Sequence, residues 1–336
     1  IISMKVSIII PIYNVAKYVT ACLNSVFNQT YKDLEVILID DCGQDNSMEI
    51  VHNFVESHPQ PFPIRILYHK QNRGLSAARN TGINAAEGDF IYFLDSDDII
   101  ASNCIEYLME PFLNEPNLDF VIADYHVIGS DKLYPPLLLK QGKILGNENI
   151  LNAFVSGQWY MMAVNKLLNR KLILEKELYF KEGLLHEDML WSFQLACVAD
   201  SMYVIRKQTY LYYIHENSIT TNFSSRNFVA YSNIVSEFNK LVKQYNLREN
   251  IEVFHFVEGV KISTFLKKIE VHYPDTLYTI YLNYRNDVIF PSLKSLRNKL
   301  SRLFWHFQYY FPARVGYIYC LCITHLFYYL KMKNGK

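Results

Sequence analysis

Three carboxylates, those of Asp95, Asp97 and Asp98, follow directly after the apolar run at residues 90–94. The run predicts a buried strand, and carboxylates placed together at its end repel one another and gain nothing from burial. A divalent cation removes that conflict, because Mg²⁺ and Mn²⁺ prefer oxygen ligands and are often held by one or two carboxylates together with substrate phosphates. The pattern therefore predicts a metal–diphosphate site at the carboxyl edge of an α/β sheet.

The elements that position these acids alternate between strand and helix over the first hundred residues. Strands are predicted at residues 5–10, 34–39, 64–68 and 90–94, and helices at 16–29, 46–57 and 74–86. Strands that are apolar on both faces and alternate with helices predict a parallel sheet covered on both sides, with Pro11 ending the first strand. Right-handed crossovers place all carboxyl ends at one edge, so the segments that follow the strands should converge on one crevice, at residues 11–13, 40–41, 72–74 and 95–98.

The rest of the chain is less regular. An α+β half is predicted up to about residue 220, with a strand at 119–127, a helix at 188–199 and short strands at 202–205 and 210–214. From residue 226 onward the pattern is helical, and prolines are expected to mark the breaks between helices.

The composition narrows the class of protein. The 336 residues are 50% hydrophobic and carry no net charge, so nothing global indicates a nucleic-acid binder. The six cysteines are scattered and show no zinc spacing, which favours a reducing cytoplasm.

The end of the chain differs in charge. After Asp287 there are eight Lys or Arg residues and no acidic residue. An apolar and aromatic stretch at 315–330 has 16 residues, fewer than the roughly 20 that span a bilayer. Basic amphipathic helices with aromatic anchors favour the surface of an anionic membrane, and the alternative is a helical subdomain that packs on the core.

Four ordered motifs resemble those of glycosyltransferase family 2. They are the strings VSIIIPIYN (6–14), VILIDDCGQD (36–45), NRGLSAARNTG (72–82) and FLDSDD (93–98). The resemblance implies an inverting nucleotide-sugar transferase with the GT-A fold, a Rossmann-like and mainly parallel central sheet. It places a catalytic domain at residues 4–220, followed by a helical region at 221–336 whose basic end associates with a membrane.

The resemblance assigns the donor site to residues at the strand ends. Asp41 matches the position that contacts the base and would accept the N3–H of uracil, whereas Asp40 and Asp45 are expected to form the turn. Pro11 and Tyr13 lie beside it, and Tyr13 either stacks on the base or belongs to the core. Cys42 departs from the family, which commonly has Gly or Asn at this position.

The start of the third helix is expected to face the diphosphate. Asn72 lies before this helix start, and Gly74 permits close approach of the backbone to a negative charge. Arg79 either contacts the diphosphate or pairs with Asp95, and both arrangements would place that carboxylate correctly.

The acidic motif is expected to hold the cation. The resemblance implies that Asp97 coordinates Mn²⁺ or Mg²⁺ and that Asp95 contacts the ribose or a metal-bound water, with Ser96 in the donor-binding set. Asp98 is expected to cap a helix that begins near Ala101.

The reaction needs a general base on the acceptor hydroxyl. Asp188 matches the base of the family's Glu-Asp pair, and Glu187 would position the acceptor or support the loop. The alternative is two acids that complement a helix dipole.

Two further predictions concern polar and aromatic side chains near the site. His215 precedes a Ser-Ile-Thr string and is a candidate for binding a phosphate or the metal, or is a loop histidine. Trp159 and Trp191 form a sugar platform or belong to the core.

The sequence therefore predicts a cytoplasmic, metal-dependent UDP-sugar transferase, peripherally associated with the inner face of the plasma membrane. Its expected acceptor is a lipid-linked glycan in the synthesis of a surface polysaccharide. One alternative is a sugar nucleotidyltransferase, but the segment after the first strand has neither glycine nor a cation for a triphosphate. The other is a non-catalytic membrane-associated protein with the same fold.

Overall fold

The computed structural model describes residues 4–129, 135–214, 225–271, 277–289 and 307–334. The chain divides into two compact units, and the division falls between residues 218 and 219. In the described ranges the first unit is α/β and the second is helical. His215 and the basic segment 290–306 lie outside the described residues.

The strands of the first unit form one nine-stranded sheet. Their bounds are β1 Val6–Ile12, β2 Leu34–Asp40, β3 Ile64–Tyr68, β4 Phe90–Phe93, β5 Ile99–Ile100, β6 Phe120–Ile128, β7 Gly142–Leu145, β8 Lys166–Asn169 and β9 Ser201–Tyr213. Their order is β3-β2-β1-β4-β8-β6-β9-β5, and β7 pairs with β9. The predicted α/β class with a central sheet is confirmed.

Helices alternate with these strands. Their bounds are α1 Val19–Phe27, α2 Ser47–Ser57, α3 Leu75–Ala85, α4 Cys104–Asn114, α5 Asn147–Val155, α6 Arg170–Glu175 and α7 Glu187–Val198. Helix α3 packs closely on β1 and β2. This approach requires Gly82, because a Cβ there would overlap the side chain of Ile9.

The parallel half of the sheet is built from the first four strands. β1 pairs in parallel with β2 and β4, and β2 pairs in parallel with β3. All seven residues of β1 are buried, as expected for a strand covered on both faces. The carboxyl ends of these strands therefore meet at one edge, where the candidate site lies.

Pro11 does not end the first strand, which was predicted to stop before it. β1 continues to Ile12, and Pro11 pairs with Ile39 of β2. On the other side, pairing with β4 ends at Ile9, whose carbonyl accepts from Leu94 N. Alternate residues of a strand form hydrogen bonds on the same side, so Pro11, like Ile9, faces β4. Because β4 no longer pairs with β1 at this position, the missing N–H of Pro11 costs no hydrogen bond.

The second half of the sheet is mixed. β8 is antiparallel to β4 and β6, and β6 is parallel to β9. The two predicted short strands at 202–205 and 210–214 are one strand, β9. Residues 206–208 are exposed, and the register against β6 shifts at Asp124. This irregularity interrupts the apolar pattern without interrupting the strand.

The second unit is helical where it is described. Its helices are α8 Ser225–Gln244, α9 Ile251–Val271, α10 Leu277–Asn286, α11 Phe307–Tyr310 and α12 Ala313–Asn334. Glu258 and Lys261 form a buried ion pair at 2.7 Å on α9, and Tyr309 of α11 donates to Glu258 at 2.7 Å. Among the helices in the described ranges, none combines the length and the apolar character needed to cross a membrane.

Candidate active site

The structure brings the predicted site segments together at the carboxyl edge of the parallel strands. Asn14, after β1, accepts hydrogen bonds from backbone N–H groups of the segment after β2. Asp41, after β2, accepts from the segment before α3, and Arg79 of α3 pairs with Asp95 after β4. All four segments that follow the strands are therefore linked by hydrogen bonds or ion pairs.

A single buried guanidinium, that of Arg79, holds three carboxylates. Its Nη2 lies 2.8 Å from Asp95 Oδ1, and its Nη1 lies 3.0 Å from Glu187 Oε1 and 2.6 Å from Asp188 Oδ1. The Arg79 side chain is 1% exposed, whereas Asp188 is 27% exposed. Of the two arrangements expected for Arg79, the structure has the ion pair with Asp95. The pairs with Glu187 and Asp188 were not anticipated.

The electrostatics of this cluster follow from burial and charge. Burial opposes the charged form of Arg79, but the carboxylates of Asp188, Asp95 and Glu187 raise the pKa of its guanidinium above the ordinary value. Burial, together with the charge of Asp188, raises the pKa of Glu187 to about 7, although Arg79 opposes this. Burial thus favours the acidic form of Glu187, whereas the three carboxylates favour the charged form of Arg79.

The segment that leads into α7 is fixed to α3 by Asn80. Asn80 Nδ2 donates to the carbonyl of Phe180 at 2.8 Å, and its Oδ1 accepts from the Phe180 N–H at 2.8 Å. The Phe180 ring lies 5.0 Å from the Arg79 Cζ and stacks on Trp191 at 4.9 Å. Asn80 and Phe180 thus place the acidic start of α7 against Arg79. Trp191 is fully buried and belongs to the core, as does Trp159.

The acidic motif after β4 has two kinds of carboxylate. Asp95 and Asp97 are half-buried, whereas Asp98 is buried. Asp98 accepts from Tyr210 Oη at 2.6 Å and from Tyr213 N at 2.8 Å. Burial, with the charges of Asp97 and Asp95, raises the pKa of Asp98 well above its usual range.

The prediction that Asp98 caps a helix near Ala101 is wrong. α4 begins at Cys104, with Asn103 at its N-cap position. The carboxylate of Asp98 instead ties the acidic motif to β9.

The residues present suit a hard divalent cation. Among the described residues, no three His, Cys, Asp or Glu side chains form a complete metal cluster. Asp95 and Asp97 offer carboxylate oxygens from the same segment. A Mg²⁺ or Mn²⁺ ion needs only one or two carboxylates when a diphosphate and water supply its other ligands. The donor set therefore fits the predicted cofactor, and coordination by Asp97 stays a prediction.

Asp41 is the hydrogen-bonding centre of the predicted donor site. Its Oδ1 bonds to His69 Nδ1 at 2.7 Å and accepts from Arg73 N at 2.9 Å. Its Oδ2 accepts from Asn72 Nδ2 at 3.0 Å and from Gly74 N at 2.8 Å. The predicted donor-site residues Asn72 and Gly74 thus both contact Asp41. Recognition of a base by Asp41 stays a prediction.

Tyr13, which directly follows β1, lies at the surface. Tyr13 is 46% exposed, so the core alternative is excluded, while Pro11 is buried within β1. After β2, Cys42 has φ 59°, in the left-handed region that favours Gly and Asn. Cys42 thus adopts a backbone conformation that Gly or Asn would adopt at a lower cost.

Some residues of the site had no clear signal in the sequence. His69 contacts Asp41 from the end of β3, and Asn80 lies inside a quoted motif without an assigned role. Arg73 pairs with Glu182 at 3.1 Å across the outside of the site. These contacts join segments that are distant in the chain, so residue type and spacing alone do not show them. Ser96 is buried.

Comparison with known proteins is consistent with this geometry. Residues 7–174 match the family described as Glycosyl transferase family 2. A protein of Escherichia coli K12 named uncharacterized glycosyltransferase YibD is 27% identical over 300 residues, covering 86% of this chain and 78% of that protein. The Staphylococcus aureus poly(ribitol-phosphate) beta-N-acetylglucosaminyltransferase TarP is 28% identical over 265 residues, covering 76% of this chain and 77% of that protein.

A solved structure shares the fold. The crystal structure of residues 1–349 of S. aureus TarS in complex with UDP-GlcNAc superposes with a TM-score of 0.75 and 20% identity, covering 98% of this chain and 92% of that chain. At this level of identity the likeness shows a common fold.

Proposed function

The chain belongs to glycosyl transferase family 2, and on that premise we propose that it transfers a sugar from a UDP-sugar to an acceptor hydroxyl with inversion at the anomeric carbon. A uridine donor is supported by the UDP-GlcNAc bound in the TarS structure, and sugar transfer is supported by the N-acetylglucosaminyltransferase activity for which TarP is named. Tyr13 and Asp41 are assigned to the uridine side of the donor site, and Asn72 and Gly74 to its diphosphate side.

The Arg79 cluster carries the proposal. Arg79 holds Asp95 of the acidic motif and Asp188 of α7 on one guanidinium, at 2.8 Å and 2.6 Å. The Arg79 guanidinium therefore fixes the distance between the carboxylate assigned to the donor and the carboxylate assigned to the acceptor. This proximity supports a direct displacement, because the donor and the acceptor hydroxyl must be held together for the hydroxyl to attack the anomeric carbon.

Asp188 is proposed as the general base. It accepts the proton of the acceptor hydroxyl while the oxygen bonds to the anomeric carbon and the bond from that carbon to the diphosphate oxygen breaks. Arg79 keeps Asp188 oriented through the contact of 2.6 Å between Nη1 and Oδ1. Glu187 shares Arg79 with it and supports the loop. His215 lies outside the described residues, so its contact with phosphate or metal stays a prediction.

The cofactor is proposed to be Mn²⁺ or Mg²⁺, held by Asp97 with Asp95. When bound, the cation neutralises charge on the leaving diphosphate. Removal of divalent cations with EDTA should abolish transfer, and addition of Mn²⁺ should restore it. Full activity in EDTA would contradict this assignment.

The direct test of function is transfer of radiolabelled sugar from a panel of UDP-sugars, starting with UDP-GlcNAc, to glycan and lipid-linked glycan acceptors. We expect label in the acceptor, release of UDP, and loss of both in Asp188→Asn. Asp200→Asn, an exposed acid just beyond α7, is the matched control. Undiminished transfer by Asp188→Asn would remove the proposed base.

The acceptor is proposed to be a lipid-linked glycan of a surface polysaccharide, reached at the inner face of the plasma membrane. Large apolar side chains are exposed along one face of α12, with exposed fractions of 48% for Val315, 58% for Ile318, 53% for Leu326 and 64% for Tyr329. The chain beyond Asp287 adds eight basic residues and no acidic one. Together these features suit the interface of an anionic bilayer.

Sedimentation with vesicles tests this association. The protein should sediment with phosphatidylglycerol-containing vesicles and remain in the supernatant with pure phosphatidylcholine. The double substitution Ile318→Asp and Leu326→Asp should abolish sedimentation. The same change at two exposed leucines of the first unit, Leu113 and Leu174, is the control. Unchanged sedimentation of the α12 variant would reject this surface.

A further inference from the structure

Two methionines differ from their surroundings in the segment that leads into β8. Every residue from 159 to 168 is buried except Met161 and Met162, which are half-buried. Solvent therefore reaches this otherwise buried segment at these two residues. The proposed chemistry gives neither side chain a role.

Met161 lies beside the helix that carries the proposed base. Its carbonyl accepts a hydrogen bond from Ser192 Oγ at 2.5 Å. Ser192 and Asp188 are four residues apart on α7, so they share one face of the helix. Met161 is therefore held about one turn of α7, roughly 6 Å along its axis, from the proposed base.

Met162 is held by a buried ammonium. Lys166 is fully buried, and its Nζ donates to the carbonyl of Met162. The charge of Asp188 acts on this ammonium, so the Met162 backbone also lies on the side of the base. Because a buried ammonium is costly without an acceptor, this contact fixes the backbone at Met162.

The backbone of the two methionines is thus fixed while solvent still reaches them. Tyr160 fixes the same segment on its other side, since its Oη donates to the carbonyl of Ala123 at 2.7 Å. Methionine is unbranched and polarisable, and it adapts to irregular apolar shapes. A fixed backbone that carries two such side chains suits a binding surface.

We propose that Met161 and Met162 form the subsite for the acceptor sugar and pack against the apolar C–H face of its pyranose ring. This inference rests on the proposed transfer to an acceptor hydroxyl. That hydroxyl must reach Asp188, and one helical turn from Asp188 is a distance comparable with the width of one sugar ring. The ring that carries the hydroxyl, rather than a distant lipid, is therefore the group that meets the methionines.

Ser192 and Lys166 are positioning residues for this subsite. Each acts through a backbone carbonyl of a methionine. Ser192→Ala removes the donor to Met161 without changing a charge near Asp188, so it tests positioning separately from electrostatics.

Acceptor kinetics separate this subsite from the donor site. The acceptors are the octyl β-glycosides of glucose, galactose and N-acetylglucosamine, and UDP release without an acceptor is the donor-only reaction. In the double variant Met161→Ala and Met162→Ala we expect the acceptor KM to rise about tenfold or more, since these side chains bind the acceptor without taking part in the chemistry. Affinity for UDP, measured by calorimetry with Mn²⁺, and donor-only UDP release should stay within about threefold of wild type.

Three variants distinguish contact with the acceptor from packing. The double variant Met161→Leu and Met162→Leu keeps the apolar volume and should keep the acceptor KM within about threefold of wild type. Met48→Ala, at a half-buried methionine of α2, should leave this KM unchanged. Ser192→Ala keeps both methionines and should raise the acceptor KM by about threefold, with UDP affinity unchanged.

Oxidation of the unaltered protein is an independent test that does not depend on a variant that folds. Hydrogen peroxide converts accessible methionine to its sulfoxide, which mass spectrometry locates. With UDP and Mn²⁺ present, an octyl glycoside that supports transfer should slow oxidation of Met161 and Met162 by about threefold or more, whereas Met48 should be oxidised at an unchanged rate.

Two results would overturn the subsite while leaving the proposed transfer intact. One is a wild-type acceptor KM in the double alanine variant, and the other is equal oxidation of Met161 and Met162 with and without the acceptor. An equal loss of acceptor and UDP affinity would also overturn it, because the defect would then be general. If the wild-type protein binds UDP but transfers to none of the glycosides, the proposed pyranose acceptor fails and the subsite fails with it. Absence of UDP binding would instead reject the proposed donor.

Discussion

Arg79 Nη1 lies 2.6 Å from Asp188 Oδ1, although 109 residues separate the two in the chain. The same guanidinium holds Asp95 through its other terminal nitrogen at 2.8 Å. α3 therefore supplies the cation that joins the acidic motif after β4 to the acidic start of α7. Because Arg79 is buried, the cost of desolvating it is offset mainly by these carboxylates, so the members of the cluster depend on one another.

Removal of the shared cation should be costly. Arg79→Met leaves three acids close together with no counter-charge, and breaking a buried ion pair by removing one partner typically costs about 3–5 kcal/mol. We expect a loss of this size in the free energy of unfolding by urea, together with loss of transfer. Arg79→Lys should recover only part of it, because a single ammonium does not reproduce the planar contacts to three carboxylates.

The matched control is Arg73→Met. Arg73 pairs with Glu182, but the two side chains are 44% and 47% exposed. Exposed ion pairs contribute about 0–1 kcal/mol. A loss in Arg79→Met no larger than in this control would show that the cluster does not stabilise the fold.

Removal of the proposed base should affect turnover while leaving the fold intact. In Asp188→Asn the guanidinium of Arg79 keeps Asp95 and Glu187 as partners. We expect kcat to fall by about 10²- to 10⁴-fold, the usual contribution of a general base, while UDP affinity changes less than threefold. Glu187→Gln should lower kcat by less. A larger loss of kcat in Glu187→Gln than in Asp188→Asn would instead make Glu187 the general base and Asp188 the supporting residue.

The parallel half of the sheet could be predicted because each of its strands is a mostly apolar run followed by a turn signal, even though β2 includes Glu35 and β3 includes Arg65. β3 has the predicted bounds, Ile64–Tyr68. The end of β1 at Pro11 was predicted wrongly because it depends on where β4 stops pairing with β1. The break within β9 was predicted wrongly because pairing with β6 continues the strand across its polar stretch. Strand bounds that depend on pairing are not encoded in the local pattern.

In the candidate site, too, the local pattern predicted some features, and other features depend on the fold. The residue types at the strand ends predicted a carboxylate-rich donor site. The sequence alone did not decide whether the partner of Arg79 is the diphosphate or Asp95. Its contact with Asp188 and the bond from His69 to Asp41 join segments brought together only by the fold. Sequence spacing identifies the chemical groups, whereas their partners depend on tertiary packing.

The link between the acidic motif and β9 should contribute to stability. Tyr210 Oη donates to Asp98 at 2.6 Å, and both side chains are buried. Tyr210→Phe keeps the ring but leaves the carboxylate short of a donor, which should cost about 1–3 kcal/mol in urea unfolding. Tyr203→Phe, on the same strand but half-buried, is the control and should change stability by less than about 0.5 kcal/mol. Equal losses in the two variants would contradict a special role for the Asp98 contact.

Lys166 gives the protein a pH dependence whose sign can be stated. The lysine is fully buried, its ammonium lies 4.2 Å from the centre of the Tyr160 ring, and it donates to the carbonyl of Met162. Burial lowers the pKa of Lys166 to about 7, although the charge of Asp188 opposes this. Between that pH and the ordinary lysine value the unfolded chain binds more protons than the folded one, so the contribution of Lys166 to stability increases as the pH rises.

Lys166→Met removes this titration and therefore isolates it. From pH 7 to pH 9, the free energy of unfolding of the wild-type protein should increase relative to Lys166→Met by up to about 2–3 kcal/mol, since each pH unit contributes at most about 1.4 kcal/mol. Urea unfolding at pH 7, 8 and 9 measures the difference. Lys171→Met, a lysine that is 75% exposed, should show a difference from wild type that is independent of pH. A constant difference between wild type and Lys166→Met would mean that Lys166 stays charged in the folded protein, held by the Tyr160 ring and the charge of Asp188.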